Sequence, residues 1–236
     1  NKDKINEVLS NRVKENCAYE NVYTLALRGL HDRAMNASND MGDRKDMLQE
    51  ALMAQRQMLI DAIGKPGEEI PQAFTPYKEV LDVYDEGLEL PDDVTIIWPD
   101  DNYGYMKRLS SPKEQKRSGR SGVYYHSSYL GKPHDHLWMN TISPTLMYEE
   151  LRKAYDATAD RIWLLNAGDI KSCEFAVDYF LTMAFDIDSF NFERAANYRT
   201  EWLCGMLGND YRNEYQDVIN SFYKLAFARK PEFMGW

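Results

Sequence analysis

The stretch VTIIWPDDNYG, Val94 to Gly104, decides how this chain is read. Val94 to Trp98 is an unbroken apolar and β-branched run, the pattern of a strand buried on both faces, and Pro99 stops it. Asp100, Asp101 and Asn102 then crowd the strand's carboxyl end, followed by Tyr103 and Gly104. In parallel α/β proteins ligands bind beyond the carboxyl ends of the strands. The turn therefore reads as part of an active site.

Working outward, Asn21 to Gly29 (NVYTLALRG), Ile70 to Phe74, Gly122 to Tyr129 (GVYYHSSY) and Arg161 to Ala167 (RIWLLNA) read as further strands. Between them lie helical patterns. Lys2 to Lys14 carries Ile5, Val8, Leu9 and Val13 at helical spacing. Arg44 to Ile63 presents Leu48, Leu52, Met58 and Leu59 on one face and ends at Gly64. Tyr77 to Glu86 and Pro144 to Thr158 are helices, and Ser172 is the expected N-cap of another running to Phe185. Alternation of strand and helix from Asn21 to about Asp186 is the signature of parallel βαβ units. About five strands are expected, fewer than the eight of a closed barrel. From Phe192 the pattern is helical only, through 192–205 and 209–228. The expected organisation is thus a partial barrel over 1–190 and the start of a helical domain over 191–236.

Bulk composition narrows the function classes. The 236 residues are 44% hydrophobic and 28% charged, values of an ordinary globular protein. No long uncharged apolar run marks a membrane span, so no membrane partner is expected. A formal net charge of −10 disfavours a nucleic-acid partner, which needs a basic surface. The three cysteines, Cys17, Cys173 and Cys204, form no Cys-x-x-Cys pair and read as free core thiols. Neither a cofactor nor a metal centre is expected. His134-Asp135-His136 has metal-ligand residue types, but without a third ligand at known spacing it reads as surface or structural. Gly119 to Gly122 (GRSG) lacks the Lys-Ser/Thr ending of a phosphate loop. The basic run Lys113, Lys116, Arg117 and Arg120 reads as a solvated loop.

Polar residues gather at four strand ends. Arg28 closes the first, with His31 and Asp32 beyond it. Asp100, Asp101 and Asn102 close another. His126 and Tyr129 close the next, and Asn166 the last, with Asp169 beyond. Each has a structural alternative: Arg28 and Asp32 form a local salt bridge, Asp100 and Asp101 cap the turn, His126 is a core histidine. Their coincidence at strand ends favours recognition of a sugar or an anion, for which a strand-terminal arginine is well suited.

Taken together, Leu27-Arg28-Gly29 with Asp32, WPDDNYG (98–104), GVYYHSSYL (122–130), HDHLW (134–138), SPTLMYEELRKAY (143–155) and RIWLLNAGDI (161–170) resemble the xylan α-glucuronidases of glycoside hydrolase family 115. The resemblance covers most of 21–186. It implies an α/β fold, the later part of a (β/α)8 TIM-like barrel with parallel strands followed by C-terminal α-helices, cut from a longer protein whose other segments complete the barrel. It implies an inverting hydrolase that removes glucuronic acid or its 4-O-methyl ether from α-1,2 linkage to xylan. Its partners would be glucuronoxylan or an aldouronic oligosaccharide, the missing barrel strands of the parent chain, and a second copy in a homodimer. The implied location is periplasmic or extracellular. Carried over by motif, Arg28, Asn102, His126, Tyr129 and Asn166 bind substrate, while Asp32 and one of Asp100 and Asp101 are the acid and base. A barrel piece that only binds carbohydrate, or serves a larger protein structurally, is the alternative.

Overall fold

The structure is a computed structural model that describes residues 2–29, 33–35, 40–137 and 139–234, the Ser172 side chain excepted. Its element order is α1 (Lys2–Asn16), β1 (Tyr23–Thr24), α2 (Met41–Ile63), β2 (Gln72–Phe74), α3 (Glu79–Asp85), β3 (Thr95–Pro99), β4 (Ser121–His126), α4 (Pro144–Asp156), β5 (Trp163–Asn166), α5 (Ile170–Phe185), α6 (Phe192–Leu207) and α7 (Arg212–Ala228). The strands follow one another as β1-β2-β3-β4-β5, with parallel pairings. Sequential order without a reversal is barrel winding rather than the doubly wound kind. This is the expected α/β fold: part of a TIM-like barrel followed by C-terminal helices.

The chain divides into two compact units, Asn1–Trp98 with Ser111–Ser121, and Pro99–Ser110 with Gly122–Trp236. In the first, Leu48, Leu52 and Leu59 of α2 are buried in a core with Leu25, Phe74, Val80, Val83 and Val94. α2 begins at Met41, three residues before the expected Arg44, because the Asp40 carboxylate accepts the Asp43 N–H as an N-cap. Gly64 ends it in the left-handed region at φ 72°.

The expected strand over 21–29 shrinks to Tyr23–Thr24. Leu25 still donates to the Ala73 carbonyl at 2.8 Å. At Ala26, however, the Gln55 side chain of α2 takes both backbone groups, accepting from N–H at 2.9 Å and donating to the carbonyl at 2.7 Å. A side-chain amide thus stands where the ladder would have continued.

The basic segment 107–120 departs from the expected solvated loop at Arg117, while Lys113 and Lys116 are exposed. Arg117 is largely buried and its guanidinium donates to the carbonyls of Leu90, Pro91 and Val94 at 3.2, 2.7 and 3.1 Å. Tyr84 donates to Glu114 at 2.7 Å. Asp93 and Val94 backbone atoms lie within 2.6 Å of where a Cβ on Gly119 would sit, so the segment is packed backbone to backbone. The Arg117 charge thus serves carbonyls leading into β3.

In the second unit Val123, Tyr125, Met147, Leu151, Tyr179, Phe180 and Met183 form the core. α4 has the expected start, Ser143 accepting the Leu146 N–H at 3.2 Å with Pro144 at the first turn. α5 begins at Ile170, ahead of the expected Ser172 cap, with Asp169 at the N-cap position and no side-chain cap bond. β4 and β5 pair from Val123↔Trp163 to His126↔Asn166. A Cβ on Gly122 would stand 2.0 Å from the Ile162 carbonyl oxygen, which explains a glycine inside this strand. No helix among the described residues is long and apolar enough to cross a membrane.

Arg117→Ala should lower stability by about 2–4 kcal/mol, because it strips charged donors from three carbonyls. Urea denaturation of the chain measures this; a loss under about 0.5 kcal/mol would restore the solvated-loop reading.

Candidate active site

The second unit assembles six of the eight predicted site residues around one turn, and Asp100 is its centre. β3 hands Asp100 into the unit with its N–H donating to the Tyr124 carbonyl of β4 at 3.1 Å. Its carboxylate is 1% exposed. It accepts four hydrogen bonds: the N–H groups of Asn102 (3.0 Å), Gly104 (3.3 Å) and His126 (3.0 Å), and His126 Nδ1 at 2.6 Å. A carboxylate only accepts, so the imidazole carries a proton on Nδ1. Wrapping two backbone N–H groups around one carboxylate forces a tight reversal, and Asn102 sits at φ 73° and Gly104 at φ 95°. Gly104 is required there, because a Cβ would lie 2.8 Å from the Tyr125 hydroxyl, which donates to the Gly104 carbonyl.

Asp101 faces the other way. Its Oδ1 accepts the N–H groups of Tyr103 (2.8 Å) and Tyr105 (3.1 Å), so it holds the second half of the turn.

His126 and Asn166 are cross-strand partners at the carboxyl ends of β4 and β5. Asn166 Nδ2 donates to the Tyr124 hydroxyl at 3.0 Å, and the Tyr124 ring lies 4.5 Å from His126. Tyr129 presents its edge to His126 at 5.7 Å. Its backbone forms a two-bond bridge with His136, which delivers the His136 ring inward. His136 Nε2 donates to the Asn102 carbonyl at 2.7 Å, fixing the turn from outside. Burial pushes the His136 pKa down to about 4, so the ring is neutral at physiological pH. His134 lies against Phe233, ring centroids 4.7 Å apart. The pair thus serves packing and the turn, and among the described residues no group of three or more His, Cys, Asp or Glu side chains is arranged for a metal ion.

Arg28 belongs to the first unit, and Asp32, with His31, lies outside the described residues. Arg28 forms a two-pronged ion pair with Glu79, NH2 to Oε2 at 3.2 Å and Nε to Oε1 at 3.3 Å, with the groups only 18% and 20% exposed. The Tyr77 ring lies under its guanidinium at 5.6 Å. Glu79 begins α3 just beyond β2, after Lys78 in a strained backbone at φ 53°. Sequence reading placed Tyr77 to Glu86 in a helix and passed over this carboxylate. The available signal was position: a Tyr-Lys-Glu run directly after the carboxyl end of a strand. His136 and Tyr124 were missed as positioning groups because only the fold brings them to the turn.

Residues 1–233 match glycosyl hydrolase family 115. The chain belongs to that family. Among solved structures it is similar to a family 115 4-O-methyl-α-glucuronidase with specificity for decorated arabinogalactans, at 41% identity and a TM-score of 0.94. The likeness covers all of this chain and 31% of that one. No curated protein matches.

Asp100→Asn should destabilise the family 115 chain by about 2–4 kcal/mol in urea denaturation, since it removes the charge that four donors surround. A loss below about 1 kcal/mol would mean that the turn holds without it. For His136 the sign follows from a folded pKa below the ordinary 6.5: stability is full above that pH and is lost as pH falls toward about 4. The loss should approach ~3 kcal/mol. His136→Gln, which keeps the amide donor, should flatten the stability slope between those pH values; an unchanged slope would assign it to other groups.

Proposed function

We propose that this chain forms part of the active site of an inverting glycoside hydrolase that removes glucuronic acid or its 4-O-methyl ether from polysaccharide side chains. The observation that carries the reading is the Asp100-held turn, which gathers Asn102, His126, Tyr129 and Asn166 at consecutive strand ends in a family 115 chain. Arg28 supplies a fixed guanidinium suited to the uronic carboxylate. His126, with its tautomer set by Asp100, and Asn166 and Tyr129 are donors and acceptors for carboxylate or hydroxyls.

Inversion needs a protonated carboxyl to assist the leaving oxygen and an ionised one to activate water, about 6.5–9.5 Å apart. Asp32 is one member. Glu79 joins Asp101 as a candidate for the other, because its carboxylate is largely buried against Arg28. Asp100 is saturated by four donors and acts as the positioning group. Glucuronoxylan or an aldouronic oligosaccharide is the first substrate, and decorated arabinogalactan, the specificity of the similar structure, is its rival. A polysaccharide substrate goes with a periplasmic or extracellular setting. Further strands of the parent chain, and a second copy in a homodimer, are the proposed partners.

The test uses the longer parent enzyme on aldouronic oligosaccharides and on glucuronidated arabinogalactan. Asp32→Asn and Glu79→Gln should each cut kcat by about 10²–10⁴-fold. The newly released uronic acid should appear first as the β anomer by NMR. Release of the α anomer would refute inversion. No release by the parent from either substrate would leave the carbohydrate-binding reading in its place.

A further inference from the structure

The turn that holds the candidate site has a second face. Tyr103 sets its ring edge-on to Tyr129 at 6.1 Å and 5.3 Å from His136, on the side of the candidate site. It also lines a separate cleft of ≈410 Å³ with Tyr105, Thr141, Tyr223, Lys230 and Phe233. The cleft lies wholly within the second unit, between the turn, the approach to α4 and the chain just past α7.

Aromatic and aliphatic side chains line it, together with two cations, Arg229 and Lys230. Lys230 is mostly buried, and its Nζ donates to Thr141 Oγ1 at 2.8 Å. That is its one side-chain hydrogen bond to the described residues, whereas an ammonium has three donors. Asp101 and Glu232 act on it through space without a hydrogen bond. The carbonyl end of α7 just before it favours a cation there. Burial pulls its pKa down to about 8, so it is still mainly charged at neutral pH. A desolvated cation with donors to spare beside aromatic rings, in a protein of net charge −10, is poorly explained as packing alone.

We propose that this cleft is a second carbohydrate subsite, taking an acidic pyranose with its carboxylate on Lys230 Nζ and its ring against Tyr103 and Tyr105. The ligand class rests on the polysaccharide reading above; the subsite does not depend on hydrolysis. Tyr103 is the wall it shares with the candidate active site, so an acidic chain seated here would be aligned with that site. Its role is to hold and orient polymer, and no bond is made or broken in it.

The experiment titrates the ¹⁵N-labelled chain with an aldotriouronic acid and, separately, with neutral xylotriose, following the amides of Tyr105, Thr141 and Lys230. These amides should shift with the acidic sugar at least tenfold more tightly than with the neutral one. Lys230→Met should weaken the acidic sugar by tenfold or more and leave the neutral one unchanged, and Lys230→Arg should retain most of the preference. Tyr105→Ala should weaken both. Spectra that keep their dispersion show that each variant folds. Equal affinity of wild type and Lys230→Met for the acidic sugar, or shifts confined to His126 and Asn166, would overturn the subsite. Lys230-dependent binding by a protein whose parent releases no uronic acid would overturn the hydrolase reading and leave the subsite standing.

Discussion

The buried carboxylate of Asp100 is the constraint on which the candidate site depends. A carboxylate taken out of water is costly unless donors replace the lost hydration. Here Asn102, Gly104 and His126 supply four. Satisfying them bends the chain immediately after β3 and places two residues of the turn in the left-handed region. It also sets the tautomer of His126 and ties the end of β3 to the end of β4. An apolar residue at this position would leave three backbone N–H groups and an imidazole without their acceptor.

Around that carboxylate the turn is braced from several directions, each by a different chemistry. Asp101 holds its later half through backbone N–H groups, Tyr125 holds the Gly104 carbonyl from the core, and His136 holds the Asn102 carbonyl from a loop. Bracing of this kind keeps binding groups in position before a ligand arrives, which is how a polar site avoids reorganisation on binding. In the other unit the same economy appears at Arg28 and Glu79, where each ion supports its partner's partial burial.

Much of the fold was legible because its signals are local. Buried parallel strands leave apolar runs, and Ser143-Pro144 marks a helix start through capping chemistry that needs no distant partner. Legibility failed where a distant side chain intervened. Gln55 ends the first strand early by occupying Ala26, and Arg117 turns an apparently solvated basic loop into a buried brace by finding three carbonyls. His134-Asp135-His136 was read as surface or structural; which carbonyl and which ring its two histidines meet, Asn102 and Phe233, only the fold decides.

The sequence by itself determined the α/β alternation, the positions of the strand ends, and the residue types gathered there, since hydrophobic period and terminating residues are properties of neighbours along the chain. Motif order carried the family. Only the tertiary structure decided what each polar group does. It made Asp100 the organiser of the turn, paired Arg28 with Glu79, and left Lys230 in an aromatic cleft. The physical reason is that the role of a charged side chain is set by burial and by donors and acceptors 26 to 89 residues away. Those distances collapse only when the chain folds.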